Sequence, residues 1–158
     1  MSQFTDLIDL AAERLGGAVL LANDEFFAPK EALLKTGTPE WREGAYTDRG
    51  KWMDGWESRR RRTPGHDWCI VKLGLPGVIH SVVVDTAFFR GNFPSHCWID
   101  GCGLPPGADP TDGSVTWHPV LERSESDLLQ SRNRNLRELF IGEIGKRCST
   151  PKRKSLLQ

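Results

Sequence analysis

The sequence predicts a mainly β protein, an antiparallel β-sandwich with a short helix at its N-terminus. Three observations carry this expectation. Apolar and polar residues alternate over 67–73 and 78–89, the two-residue period of strands with one buried face. Sixteen glycines and ten prolines in 158 residues suit a loop-rich β fold better than a helical bundle. An amphipathic stripe stands just ahead of Gly16.

Taken in order, Phe4, Leu7, Ile8, Ala11 and Leu15 recur at three- and four-residue steps, which predicts a helix over 5–15. Thr5 is its candidate N-cap, Asp6 and Asp9 suit its positive end, and Gly16-Gly17 stops it. Ala18 to Ala22 reads as a short buried strand, and Ala28 to Leu34 as a helical turn started by Pro29. The rest of 23–66 has little period but holds Trp41, Trp52 and Trp56, so it should pack down as an ordered loop. Asp67 to Leu73 is a strand with Cys69, Val71 and Leu73 on one face. Leu75-Pro76-Gly77 turns the chain into a second strand, Val78 to Phe89. Ser95 to Asp100 is a third, 101–114 a loop, and Trp117 and Val120 belong to a fourth. Beyond Glu122 the leucines and Phe140 fit a helix loosely, and the end from Gly142 reads as mobile. The expected division is a β-sandwich unit over 1–123 and a divergent, partly disordered tail over 124–158.

Net charge is zero, yet 1–57 carry 6 basic and 11 acidic residues while 58–158 carry 15 and 10. The run Arg59 to Arg62 and the basic tail cause most of this asymmetry. With a neutral total, solvated loops explain it better than a nucleic-acid surface. No apolar run approaches the roughly 20 residues that span a bilayer, and no secretory signal opens the chain, so an intracellular, cytoplasmic protein without membrane or nucleic-acid partners is expected. The end Ser155-Leu156-Leu157-Gln158 is not a peroxisomal signal. Four cysteines form no Cys-x-x-Cys pair and are expected to be reduced, with Cys69 and Cys97 in the core.

Chemistry concentrates in Gly50-Lys51-Trp52-Met53-Asp54-Gly55-Trp56-Glu57-Ser58-Arg59-Arg60 and in Gly65-His66-Asp67-Trp68. Glycines admit close backbone approach, and tryptophans give rigid apolar walls. Asp54, Glu57, His66 and Asp67 can move protons, while Lys51, Arg59 and Arg60 can grip a carboxylate. This is the composition of a pocket for a small polar anion, with Trp52 as a wall; a salt-bridged loop bracing the sandwich has the same composition. Asp85 and Asn92 could join from the end of the 78–89 strand, on a Gly-Asn-Phe-Pro loop. Asn23 to Phe27 is a third polar segment, and His96 and His118 stand alone.

Leu15-Gly16-Gly17, Asn23 to Lys30, Gly50 to Arg60, Gly65 to Trp68 and Asp85 to Asn92 together resemble the first repeat of allantoicases, from about Leu10 to about Arg123. The resemblance implies a jelly-roll sandwich of the galactose-binding-like kind. It also implies hydrolysis of allantoate to ureidoglycolate and urea in purine breakdown. The family carries two such repeats; this chain has one, and 124–158 do not resemble the Arg-, Asn- and Gly-rich strand that ends a repeat. A non-catalytic module of the same fold, or an inactive truncated form, is therefore the alternative.

Allantoate is a carboxylate whose central carbon bears two ureido groups. Its hydrolysis needs a base for water, an acid for the departing nitrogen and cations for the carboxylate. His66 is the motif's imidazole, the side-chain type whose ordinary titration lies near neutrality. Asp54, Glu57 and Asp67 are rival bases, and Arg59 or Arg60 the clamp. No cofactor is evident; a divalent metal is compatible with these donors, but no spacing marks a dedicated site. The expected partner is a small ureide, with a homo-oligomer as an option.

Overall fold

The computed structural model describes residues 7–89, 93–125 and 140–142. The architecture is mainly β. Among the described residues seven strands follow in chain order: β1 (Ala18–Ala22), β2 (Tyr46–Thr47), β3 (Gly50–Lys51), β4 (Cys69–Lys72), β5 (His96–Cys102), β6 (His118–Glu125) and β7 (Phe140–Gly142). Five of them make one antiparallel sheet in the order β1-β4-β7-β5-β6, and β2 and β3 form a separate hairpin.

The alternation in the sequence maps directly onto burial. Cys69, Val71 and Leu73 share the core face at 8% exposure or less, and Cys97 and Ile99 are fully covered on β5. With Val19, Trp56, Ile79 and Leu121 they form one apolar cluster. Ile70, on the opposite face of β4, is buried too, so this strand is covered on both sides. Cys69, Cys97 and Cys102 are buried, and burial pushes Cys97 up to about 11, far from the range of a nucleophile. Pro29 leads into a 3-10 helix at Lys30–Leu34, as its fixed φ favours.

Three expectations change. The helix over 5–15 is not formed in its described part; Phe4 and Thr5 lie outside the described residues. Asp9 accepts a hydrogen bond from the Ala11 amide at 3.0 Å, a turn that competes with helical bonding. The Leu10 carbonyl receives the Gly74 amide at 2.9 Å instead of a helical partner. Only Glu13–Leu15 winds a 3-10 turn, closed by Gly16 at φ 92°.

The strand Val78–Phe89 is also not formed; within it only Ile79 makes a β-bridge. A chain turning back at Leu75-Pro76-Gly77 would pair with β4, but β1 and β7 already occupy both edges of β4. The segment instead lays Ile79, Val82 and Val84 against the core and leaves Val83 63% exposed. Asp85 then takes the Ala87 amide at 2.7 Å and Phe88 adopts φ 67°, which ends any extended run.

Finally, Phe140 belongs to a strand rather than a helix. Its strand β7 sits at the centre of the sheet, with Gly142 opposite both Ile70 and Asp100. Residues 126–139 and 143–158, with the expected helix and mobile tail, lie outside the described residues.

Candidate functional site

The long segment between β1 and β4 is ordered by two residues that follow β1. Asn23 continues the β1–β4 pairing with its side chain: Oδ1 accepts the Trp68 amide at 2.6 Å, and Nδ2 donates to Asp67 at 2.9 Å. Asp24 collects the amides of Phe26 and Arg59, both at 3.0 Å, and the Arg59 guanidinium at 2.7 and 2.6 Å. Burial works against the charge of Asp24, but these hydrogen bonds outweigh it and hold the carboxyl below its ordinary range. The Asp24 carbonyl also accepts the Trp56 indole N–H at 2.7 Å, which lets that tryptophan sink into the core. Glu57 and Ala28 exchange backbone hydrogen bonds, so the motif segment is anchored over Trp56 to Arg59.

This anchoring shapes a cleft of about 300 Å³. Its floor is Trp52 to Trp56; one wall is the segment 32–42 and the other is 84–89. Asp54 points into it with Oδ2 on the Glu40 amide at 2.9 Å and Oδ1 on Lys35 Nζ at 3.3 Å. The Glu40 amide does most to hold the Asp54 carboxyl low; Lys35 and Arg42 reinforce it against partial burial. Arg42 lies over the Trp52 ring at 4.3 Å and pairs with Glu40 at 2.8 Å. Asp85 closes the far wall. Gly55, at φ 146°, carries no side chain where a Cβ would come within 3.2 Å of Phe89. The result is a tryptophan-walled cleft with cations and carboxylates interleaved, suited to a small ligand carrying both an anionic group and N–H donors.

The expected site residues are thus divided. Trp52, Asp54 and Asp85 meet in this cleft. Asp67 is buried and outside the cleft lining, held by Asn23, by Ser58 at 2.9 Å and by Arg61 at 3.2 Å. His66 lines a different cleft of about 360 Å³, edge-on to Trp98 at 4.8 Å and beside Asp100, Glu122 and Arg123. Arg59 is spent on Asp24 and on the ring of Phe26, and Lys51 sits over Trp41 at 4.1 Å. Arg60 is exposed and Glu57 half-buried, both outside the residues that line the first cleft. Asn92 lies outside the described residues. Lys35, Glu40 and Arg42 are cleft residues that the sequence did not flag; Trp41 in an aperiodic loop was the only local hint. Among the described residues, no group of three His, Cys, Asp or Glu side chains is placed to hold a metal ion. None of the helices there is long and apolar enough to cross a membrane.

Sheet and cleft together define a mainly β domain whose connecting loops, not its strands, carry the polar site. The allantoicase repeat matches residues 8–142, and the chain belongs to that family. The match runs past Arg123 and takes in β7. A probable allantoicase of Photobacterium profundum is 45% identical over 136 residues, covering 86% of this chain and 40% of that protein. One from Nocardia farcinica is 50% identical over 124 residues, covering 76% of this chain and 37% of its own length. Allantoicase structures superpose with TM-scores of 0.67 and, for the Saccharomyces cerevisiae protein, 0.63, at 27% identity. They cover 87% and 88% of this chain and 45% of their own. The chain therefore spans less than half the length of these relatives.

Proposed function

We propose that this chain acts as one repeat of an allantoicase, taking allantoate into the Trp52–Asp54–Asp85 cleft for hydrolysis to ureidoglycolate and urea. The observation that supports this most is the cleft itself, because the blocks that carry the family resemblance also build its floor and far wall. In the reaction water's hydroxyl goes to the central carbon, one carbon–nitrogen bond breaks, and the departing ureido nitrogen takes the proton. Asp54, ionised and fixed by the Glu40 amide, accepts N–H groups of a ureido arm. Asp85 supplies a second acceptor across the cleft. Asp54 is the acid–base candidate that lines this cleft; Glu57, His66 and Asp67, the other candidates, stand outside its lining. Lys51, Arg59 and Arg60 are the cations of the motif, and Trp52 the wall. We further infer a jelly-roll, galactose-binding-like sandwich from the antiparallel sheet with its non-sequential strand order, and a cytoplasmic enzyme able to pair with a second copy.

One observation favours a second reading. Asp24, Asp54 and Asp67 are each engaged by a cation, which is what a non-catalytic binding module braced by ion pairs would show. Release of urea and ureidoglycolate from allantoate by the purified chain tests the first reading. A chain that melts cooperatively, binds allantoate and releases neither product fits the second.

A further inference from the structure

We propose that Lys35 and Arg42 are the carboxylate-binding pair of the Trp52–Asp54–Asp85 cleft. The inference rests on reading this cleft as the ligand site. It reassigns the cationic grip away from the arginine run, and the reason is position. Arg59 is held by Asp24 at 2.7 and 2.6 Å and packs over Phe26. Arg61 is held by Asp67 at 3.2 Å, and Lys51 sits over Trp41. None of these lines the cleft, whereas Lys35 and Arg42 do.

The chemistry of the pair suits the task. The side chains of Lys35 and Arg42 are 53% and 58% exposed, so their ion pairs with Asp54 and Glu40 are weak and exchange readily for an incoming anion. Arg42 rests over the Trp52 ring at 4.3 Å, which holds the plane of its guanidinium, and its Nε and Nη2 donate to Glu40 at 3.1 and 2.8 Å in an exposed pair that an incoming carboxylate would displace. The same cleft holds Glu40, Asp54 and Asp85. A bare anion would meet these carboxylates as repulsion. A ligand with N–H groups beside its carboxylate turns them into acceptors, so both charges of the cleft find partners.

The test is calorimetric titration of the full chain with allantoate, with N-carbamoylglycine as a simpler ureido acid, and with acetate. Both ureido acids are expected to bind, and acetate at least about tenfold more weakly, the scale of one lost charge-assisted hydrogen bond. Lys35→Met and Arg42→Met should each weaken ureido-acid binding by about 10–100-fold at unchanged melting temperature, with Arg42→Lys between the wild type and Arg42→Met. Unchanged affinity in both Met variants, acetate binding as well as the ureido acids, or no binding of either ureido acid to the wild type overturns the assignment. Turnover of allantoate with KM unmoved in both variants sinks the assignment and leaves the activity standing. Binding lost in the variants without turnover in any form keeps the assignment and ends the catalytic reading.

Discussion

Asp67 shows how one side chain can be read in two ways until its neighbours are known. In the sequence it is an acid next to a histidine; in the fold it is a 5%-exposed carboxylate receiving Asn23, Ser58 and Arg61. Asp67→Asn keeps the shape but leaves Arg61 without its counter-charge, and should lower stability by about 2–3 kcal/mol in a denaturant titration. Asp24 and Asp54 make a different prediction. Both are held below their ordinary value of 3.8 in the folded chain. Their contribution to stability is therefore complete above that value and lost as pH falls through the lower folded-state values. Melting temperature measured from pH 6 down to pH 2 should fall most steeply below about pH 4, and Asp24→Asn should flatten that limb. Trp52, Asp54 and Asp85 could be found from sequence because they sit in dense polar-aromatic blocks. Lys35 and Arg42 could not. Their segment has no period, and their role exists only because Asp54 pins the Glu40 amide and folds that loop over Trp52.

At the scale of elements, local signals were legible where local chemistry decides. β1, β4, β5 and the Pro29-led turn follow from alternation, small buried side chains and a fixed φ. The stretch before Gly16 did not follow, because a close crossing overrides its helical period. A Cβ on Gly74 would lie 2.3 Å from the Leu15 carbonyl and 2.6 Å from the Gly17 amide; one on Gly17 would lie 1.9 Å from the Ala11 carbonyl. The two glycines let the 10–17 segment lie directly on the turn after β4. Gly74→Ala should therefore cost about 3 kcal/mol, the upper end for overpacking, since backbone atoms cannot rotate aside. A change in unfolding midpoint below about 1 kcal/mol would show that the crossing is looser than this. The valine run 78–84 fails as a strand for a reason no local pattern contains: the edge it would need belongs to β7.

In the whole molecule, β7 is the element hardest to see in sequence, with Arg and Asn crowding the residues before it, and it is the one that joins the sheet. β1 and β4 form one pair, β5 and β6 another, and among the described strands only β7 bonds to both. A chain ended at Glu125 should lose its cooperative thermal transition and scatter light on concentration, because β4 and β5 would present open edges; a sharp transition and a monodisperse monomer would contradict the role given to β7. The position of β7 also sets a schedule. Of the described strands, the one made last lies in the middle of the sheet, so until translation reaches Phe140 the edges of β4 and β5 that face it have no β7 to pair with. Pairing β7 with both β4 and β5 is a closure over long stretches of chain and thus a slow one. Crowded polysomes would expose neighbouring copies to one another in that interval, when the inner edge of one can accept the strand of the next.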